Sequence, residues 1–548
     1  AQAMLAQAAS SSKSMSSAWV SEYRALAVNA DQHVPQPGVV KRQRRQRSRH
    51  GSPSPPTPRS LNALSRSPSC DNLFVDVSAT ALPPASDMFL DSLIRHELQP
   101  LETIDEAVGF AKSWIGKGSL LSSVFTLVAS AMGAGCLSLP HMFRRSGLGL
   151  GIILLACGAS LAHISLVVLM SCARYTKCRS FAELVDLSGE RNGDGNEGGA
   201  SGRSILVDIV IALYGMAAVL IYLMLIGDFL GGIAESPVFG CGHVSRKAFI
   251  LGSLVLVFPL SVPKNVTALR YISILSTSSI AFMTLVVVVK TPHFFWAAEN
   301  GLASEDVAGD VRWFAGDFQS TLQSFAIALF SFNAHTNAVP VAIALEQPRA
   351  VRIWQVSLLS VMVEFVVYLL IATAGYLSFR GNTQQDFIRN YPSDDMWMLI
   401  VRCVYSVPVF FGAPINLSPA AASMQALARH AFSGSSQSSG GCQASMITRS
   451  RDRAIHVAIV AGVLGVCAVL AIWCEAVADV IGLFGGFFGT LICLAWPRQI
   501  YRSVLSKLHS KGLAVLLGSS LMVATCLGML AFLAQAFEVL VPALERLA

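Results

Sequence analysis

From residue 119 onward the chain is dominated by apolar stretches, each close to the ~20 residues that a helix needs to cross a hydrocarbon core. They run at about 119–143, 147–171, 204–233, 246–262, 270–290, 318–345, 354–379, 397–425, 454–473, 475–496 and 512–537. Within lipid a backbone must satisfy its own polar groups, so runs of this length fold as helices packed into a bundle. Charged residues are 13% of the chain, against about 25% in soluble domains. The sequence therefore predicts an all-α polytopic membrane protein with about eleven transmembrane helices.

The first run contains a fault that a lipid-facing helix would not tolerate. After residues 120–132 the chain meets Gly133-Ala134-Gly135 and then Pro140, which has no N–H to donate. An unwound backbone inside a membrane is tolerated only where it lines protein or a cavity, since each unpaired group costs several kcal/mol. Amides that start the second half-helix suit an anion, and carbonyls that end the first suit an ammonium. An amino acid carries both groups. Glycines in such helices also serve close packing alone, so a second break carries weight. It comes in the sixth run, at Phe332-Asn333-Ala334-His335-Thr336-Asn337, and Asn333 to Pro340 repeats the spacing of Gly133 to Pro140. Interrupted helices at matching positions of two five-helix halves point to an inverted-repeat transporter with its site at the midplane.

The rest of the chain narrows the class. Residues 1–95 are rich in Ser, Pro, Arg and Gln, with a basic cluster at 41–49, and read as a disordered tail. Its basic run suits either plain solvation or contact with anionic lipid. Nucleic-acid binding is not supported, because no aromatic residue interleaves those arginines and no folded domain presents them. Residues 96–118 read as an amphipathic juxtamembrane segment. The transporter domain follows at 119–540: a first repeat at about 119–290, a second at about 318–496, and an extra helix at 512–537.

Basic residues such as Arg174, Lys177, Arg349, Arg352, Arg498 and Arg502 fall in alternate loops, and the opposite loop 291–317 is acidic. The positive-inside rule then makes the N-terminus cytosolic, with Arg144 and Arg145 as dissenters. This topology puts the acceptor pattern Asn265-Val266-Thr267 on the cytosolic side, which argues against glycosylation. The cysteines, Cys136 and Cys157 among them, show no metal-ligand spacing and read as small packed hydrophobes. No catalytic dyad or nucleophile motif appears, and neither a cofactor nor a metal is expected. Because the first residue is Ala1, nothing about a signal peptide follows from this end.

Residues 122–155, SSVFTLVASAMGAGCLSLPHMFRRSGLGLGIILL, resemble the first-helix motif of the amino acid/auxin permease family. Further similar stretches are DIVIALYGMAAVLIYLMLIGDFL at 208–230, LSVPKNVTALRYISILS at 260–276, FSFNAHTNAVPVAIALEQP at 330–348 and VPVFFGAPINLSPA at 407–420. The resemblance implies a LeuT/APC-type fold of five plus five inverted helices, and secondary active transport of amino acids by alternating access. It implies a carboxylate held by the N–H groups of Gly133, Ala134 and Gly135, and an ammonium facing carbonyls near Ala129, Ser130, Ala131, Phe332 and Asn333. Sodium-coupled members of the family carry an Asn in helix one where this chain has Ala129. Losing a side-chain oxygen from a site that wants about five or six weakens the case for Na⁺, so proton coupling is preferred. Ser130 and Ser406 remain as hydroxyl donors.

Ionisable residues inside apolar runs are costly and merit individual reading. Glu364 suits proton carriage or, alternatively, a neutral hydrogen-bonded carboxyl between helices. Asp228 suits a protonatable group or helix-end packing, and His335, counted with the substrate-binding residues of the second break, a titrating group or a structural one satisfying the broken backbone. His163 reads as packing. Tyr214, Tyr222 and Phe332 suit either a gate or simple core. The expectation is a proton-coupled or facilitative amino acid transporter in a plasma membrane or a vacuolar or lysosomal membrane. The alternatives are a sodium-coupled symporter and an amino acid sensor that signals through its tail.

Overall fold

The computed structural model describes residues 118–190, 197–239, 244–263, 269–299, 310–314, 317–432, 442–474, 476–506 and 511–545. The expected tail, nearly all of the juxtamembrane segment and the Asn265-Val266-Thr267 pattern lie outside the described residues.

The first span is two helices, α1 (Leu120–Ala131) and α2 (Leu139–Ser146), joined by a 3₁₀ turn at Ala134–Ser138 and bent by 51°. Ser119 caps α1 by accepting the Ser122 N–H at 3.2 Å. Pro140 sits in the first turn of α2, where a missing N–H costs nothing. Gly147, at φ +83°, ends α2 and turns the chain into α3 (Leu148–Thr176). A side chain at Gly147 would come within 2.8 Å of the Trp313 backbone, and Leu148 and Gly149 donate their N–H groups to Arg312 and Trp313.

There follow α4 (Phe181–Glu190), α5 (Glu197–Ala234), α6 (Arg246–Ser261) and α7 (Leu269–Glu299). The sixth span is again double, α8 (Phe318–Ser331) and α9 (His335–Ala344). After it come α10 (Ala350–Phe379), α11 (Met396–Phe432), α12 (Cys442–Trp473), α13 (Val477–Leu505) and α14 (Lys511–Glu545). Among the described residues nine helical segments are long and apolar enough to cross a membrane, ten when α1 and α2 count as one bent span. The expectation of about eleven is met only by adding α6, whose 16 residues fall short of that length. The uncertain boundary between the ninth and tenth spans falls at residues 474–476.

The interior is built around the sixth span, 72% of whose most apolar window is buried, whereas α14 buries 28% and lies at the periphery. Val255, Val289, Trp473, Val515 and Phe537 are exposed on outer helices, as an apolar solvent requires. Gly485 and Gly486, in a stretch of wide π turns in α13, let that helix come against the Ala326 carbonyl and the Phe532 backbone. The α2–α3, α5–α6, α7–α8, α10–α11 and α12–α13 connections alternate with the others and so share one membrane face, named outer. On the opposite face Glu346 donates its N–H to the Gly118 carbonyl at 2.8 Å, tying the start of α1 to the end of α9.

Candidate functional site: the meeting of two broken spans

Helix α1 closes on itself through Met132 N–H to Val128 O at 2.7 Å, after which Gly133 leaves the helix. In the sixth span α8 ends at Ser331 and α9 starts at His335. The break expected over 332–337 is therefore narrower, at Phe332, Asn333 and Ala334, and Thr336 and Asn337 belong to the first turn of α9. Asn333 explains the early restart, because its Oδ1 accepts the His335 N–H at 3.4 Å.

The two breaks lie against each other. A Cβ on Gly135 would stand 2.9 Å from Ser331 Oγ and 3.0 Å from Ser331 Cα, so only glycine allows the approach. Asn337 Nδ2 donates to Ser130 Oγ at 2.9 Å, linking α9 to the last turn of α1. Ala129, Ser130 and Ala131 form that last turn, with Ala129 and Ser130 half-buried, and Gly133, Ala134 and Gly135 follow after Met132.

Three tyrosines surround the breaks. Tyr405 on α11 donates to the Gly133 carbonyl at 3.0 Å, and its hydroxyl lies 3.4 Å from Cys136 Sγ. Tyr222 on α5 sets its hydroxyl where a Gly133 side chain would be. Tyr368 on α10 donates to the Ser331 carbonyl at 2.8 Å and packs on the Phe332 ring at 5.2 Å. Sequence reasoning named Tyr222 but missed Tyr405 and Tyr368, because a tyrosine within an apolar run looks like core until its hydroxyl finds a partner. It points to Ser406 on α11, one residue along. That hydroxyl donates instead to the Arg402 carbonyl of its own helix at 2.6 Å. Cys136, expected to be a packed hydrophobe, is indeed fully buried, but it sits within the break and bonds to it.

Glu364 occupies the face of α10 that looks at the breaks. Ser360, one turn before it, donates to the Val124 carbonyl of α1, and Tyr368, one turn after, reaches Ser331. Glu364 is 0% exposed, and neither carboxylate oxygen has a hydrogen-bond partner among the described residues. An ionised carboxylate in that setting carries a large desolvation penalty, so the position calls for a proton or a cationic group.

The other candidates lie elsewhere. His335 is fully buried and turns toward α3, where Nε2 meets Ser165 Oγ at 2.6 Å. His163 does more than pack, since Nδ1 lies 2.9 Å from Ser357 Oγ. Tyr214 packs on Phe330 and Phe488. Asp228 is near the outer end of α5, paired with Arg246 at 2.6 Å and lining an outer cavity rather than the breaks. Also on the outer side, Arg145 of α2 meets Asp479 of α13 and Glu538 of α14, each at 3.4 Å, and donates to Gln323 of α8. This joins both broken spans to the tenth span and the extra helix.

Among the described residues, then, this is a helical bundle made for a membrane, with two interrupted spans meeting face to face in its interior. Residues 116–539 match the family described as Transmembrane amino acid transporter protein, and the chain belongs to that family, one of transporters rather than enzymes. A Toxoplasma gondii protein carrying the name amino acid transporter AAT1 is 31% identical over 61% of this chain and 45% of its own length. Sodium-coupled neutral amino acid transporter 7 of Danio rerio is 28% identical over 55% of this chain and 63% of its own length. Vacuolar amino acid transporter 5 of Schizosaccharomyces pombe is 24% identical over 74% of this chain and 89% of its own length. The chain thus spans about half to two thirds of the length of the first two relatives. The solved structure of MhsT in complex with L-phenylalanine aligns over 76% of this chain and 98% of that chain, at 12% identity and a TM-score of 0.45.

Proposed function

We propose that this protein carries amino acids across a membrane by alternating access, clasping each substrate between the breaks of the first and sixth spans. The observation that carries the reading is the contact of those breaks at Gly135 and Ser331, deep in the bundle, with main-chain polar groups on both sides. The substrate carboxylate meets the N–H groups at Gly133, Ala134 and Gly135. Its ammonium faces the carbonyls that end α1 and α8, with Ala129, Ser130, Ala131, Phe332 and Asn333 as the lining. His335 braces α9 against α3 from behind.

Coupling to protons is the preferred form. Glu364, buried beside the breaks with no hydrogen-bond partner among the described residues, supports it, since an ionised carboxylate there would go uncompensated. Sodium coupling is the second reading, favoured by the relative named as a sodium-coupled transporter. The distribution of basic residues supports a cytosolic N-terminus, and the relative named as a vacuolar transporter supports a vacuolar-type membrane as an alternative to the plasma membrane.

Counterflow in liposomes with a panel of labelled amino acids tests the carrier reading. Accumulation of at least one amino acid against preloaded unlabelled substrate is expected, and none across the panel overturns it. Repeating uptake with sodium replaced at fixed pH decides the ion: flux should persist, and its collapse makes sodium the coupling ion.

A further inference from the structure

Beyond the breaks, the outer face holds a second buried carboxyl. The segment 383–391, between α10 and α11, is fastened over the broken first span by its backbone and its amide side chain. Ser138 donates to the Gln385 carbonyl at 3.0 Å, and Arg144 to the Thr383 carbonyl at 3.1 Å. His141 Nδ1 lies 3.3 Å from the same Thr383 oxygen. Gln385 Oε1 accepts the Ala478 N–H at 2.9 Å, and its Nε2 donates to Asp479 at 3.0 Å. One short segment therefore bridges α2, the 3₁₀ turn of the break, and α13.

Asp386 sits at the centre of that segment, 2% exposed. Its Oδ1 accepts the Ile388 N–H at 3.2 Å, while Oδ2 has no partner among the described residues. A cavity of about 370 Å³ opens beside it, lined also by His141, Arg144, Asp228 and Arg389. His141 is buried there too, and its Nε2 has no partner among the described residues. A larger cavity, about 580 Å³, shares Asp228, Gln384 and Arg389 with the first and adds Glu235, Arg246 and Arg402.

The groups facing Asp386 from each side can be named. Asp228 on α5 opposes its charge but is held by Arg246 of α6. Arg389 of the segment and Arg402 of α11 favour its charge, although Arg402 donates its own hydrogens to the Pro392, Ile388 and Tyr391 carbonyls. Beneath lies Cys136 of the break, and across the cavity lie His141 and Arg144. Burial first, and the Asp228 charge second, push the Asp386 carboxyl up to about 7.

We propose that Asp386 is a proton site at the outer mouth of the transporter, and that a proton on it holds the segment 383–391 closed over the broken first span. The inference rests on the reading of that break as part of the substrate site, but not on which ion drives transport. Opening the segment would return Asp386 to water and an ordinary carboxylate affinity. The closed state therefore binds the proton more tightly, and closure strengthens as pH falls through about 7 toward about 4. Asp386 alone then lowers the closed-to-open ratio ~100-fold between about pH 5 and about pH 8.

Hydrogen–deuterium exchange of the full chain in lipid nanodiscs, corrected for the intrinsic effect of pH on exchange, reads the segment directly. Peptides covering 383–391 should be protected at the acid end and exchange more freely at the alkaline end. In Asp386→Asn, which mimics the neutral acid, protection should be high at both. Equal protection of wild type at both ends overturns the proposal, as does a wild-type pH dependence in the variant. Should that variant fail to reach the membrane, the wild-type pH series decides alone. Failed counterflow with a normal pH response in 383–391 would remove the carrier reading and leave the proton site; intact counterflow with a flat response would do the reverse.

Discussion

Replacing Gly135 with alanine tests the contact on which the site depends. The added methyl would stand 3.0 Å from Ser331 Cα and 2.9 Å from Ser331 Oγ, closer than real Cβ atoms ordinarily come to their neighbours. The hydroxyl can rotate away, but the Cα belongs to backbone that ends α8 and cannot. Either the broken spans part by several tenths of an ångström or the bundle carries the strain. Overpacking of this kind costs about 1–3 kcal/mol, which at 1.36 kcal/mol per decade is roughly 5- to 150-fold in the population of the native packing of the two breaks. Counterflow and thermal unfolding in detergent should both fall relative to Gly462→Ala, whose new methyl meets nothing within 4 Å. Adding Ser331→Gly removes the hydroxyl and Cβ but keeps the Cα, so partial recovery is expected, with a coupling of about 0.5 kcal/mol or more. Full transport and unchanged melting in the single variant would mean the breaks are not in contact, and the reasoning would fail.

Gly133→Val, which drives a branched side chain into the Tyr222 hydroxyl, should abolish uptake while membrane insertion persists, as surface labelling would show; normal uptake separates the break from the site. Tyr405→Phe leaves the Gly133 carbonyl with only the weak Cys136 thiol, and a loss of about 1–3 kcal/mol should appear as a higher apparent KM for substrate; unchanged kinetics would make Tyr405 a packing residue. Glu364→Gln should flatten the pH dependence of uptake but retain counterflow, since exchange needs no net proton movement; an unaltered pH profile returns Glu364 to a packing role.

Much of the fold is legible in the order of residue types, because the bilayer removes alternatives. Apolar runs of membrane length can only be helices, and the glycine pair at 133 and 135 followed by Pro140 weakens one at a defined place, so Gly133 to Pro140 is readable as a break. The second break is readable from its polar cluster but not in its extent. Asn333 bonds to the His335 N–H, a local choice that no spacing rule encodes. The same limit applies to α6, whose length falls below a full span.

What the sequence by itself determined was the helical membrane architecture and the two places where the main chain comes loose, since both follow from residue types taken locally. Only the tertiary structure decided which side chains meet there. Tyr405 rather than its neighbour Ser406 reaches the break, Asp228 is paired with Arg246 near the outer face, and Asp386, in a segment with no apolar pattern to mark it, is buried over the first span. The physical reason is that a hydroxyl or carboxylate acquires its role from the partner it finds or lacks, and those partners often lie on helices far away in the chain, as Gly133 does from Tyr405.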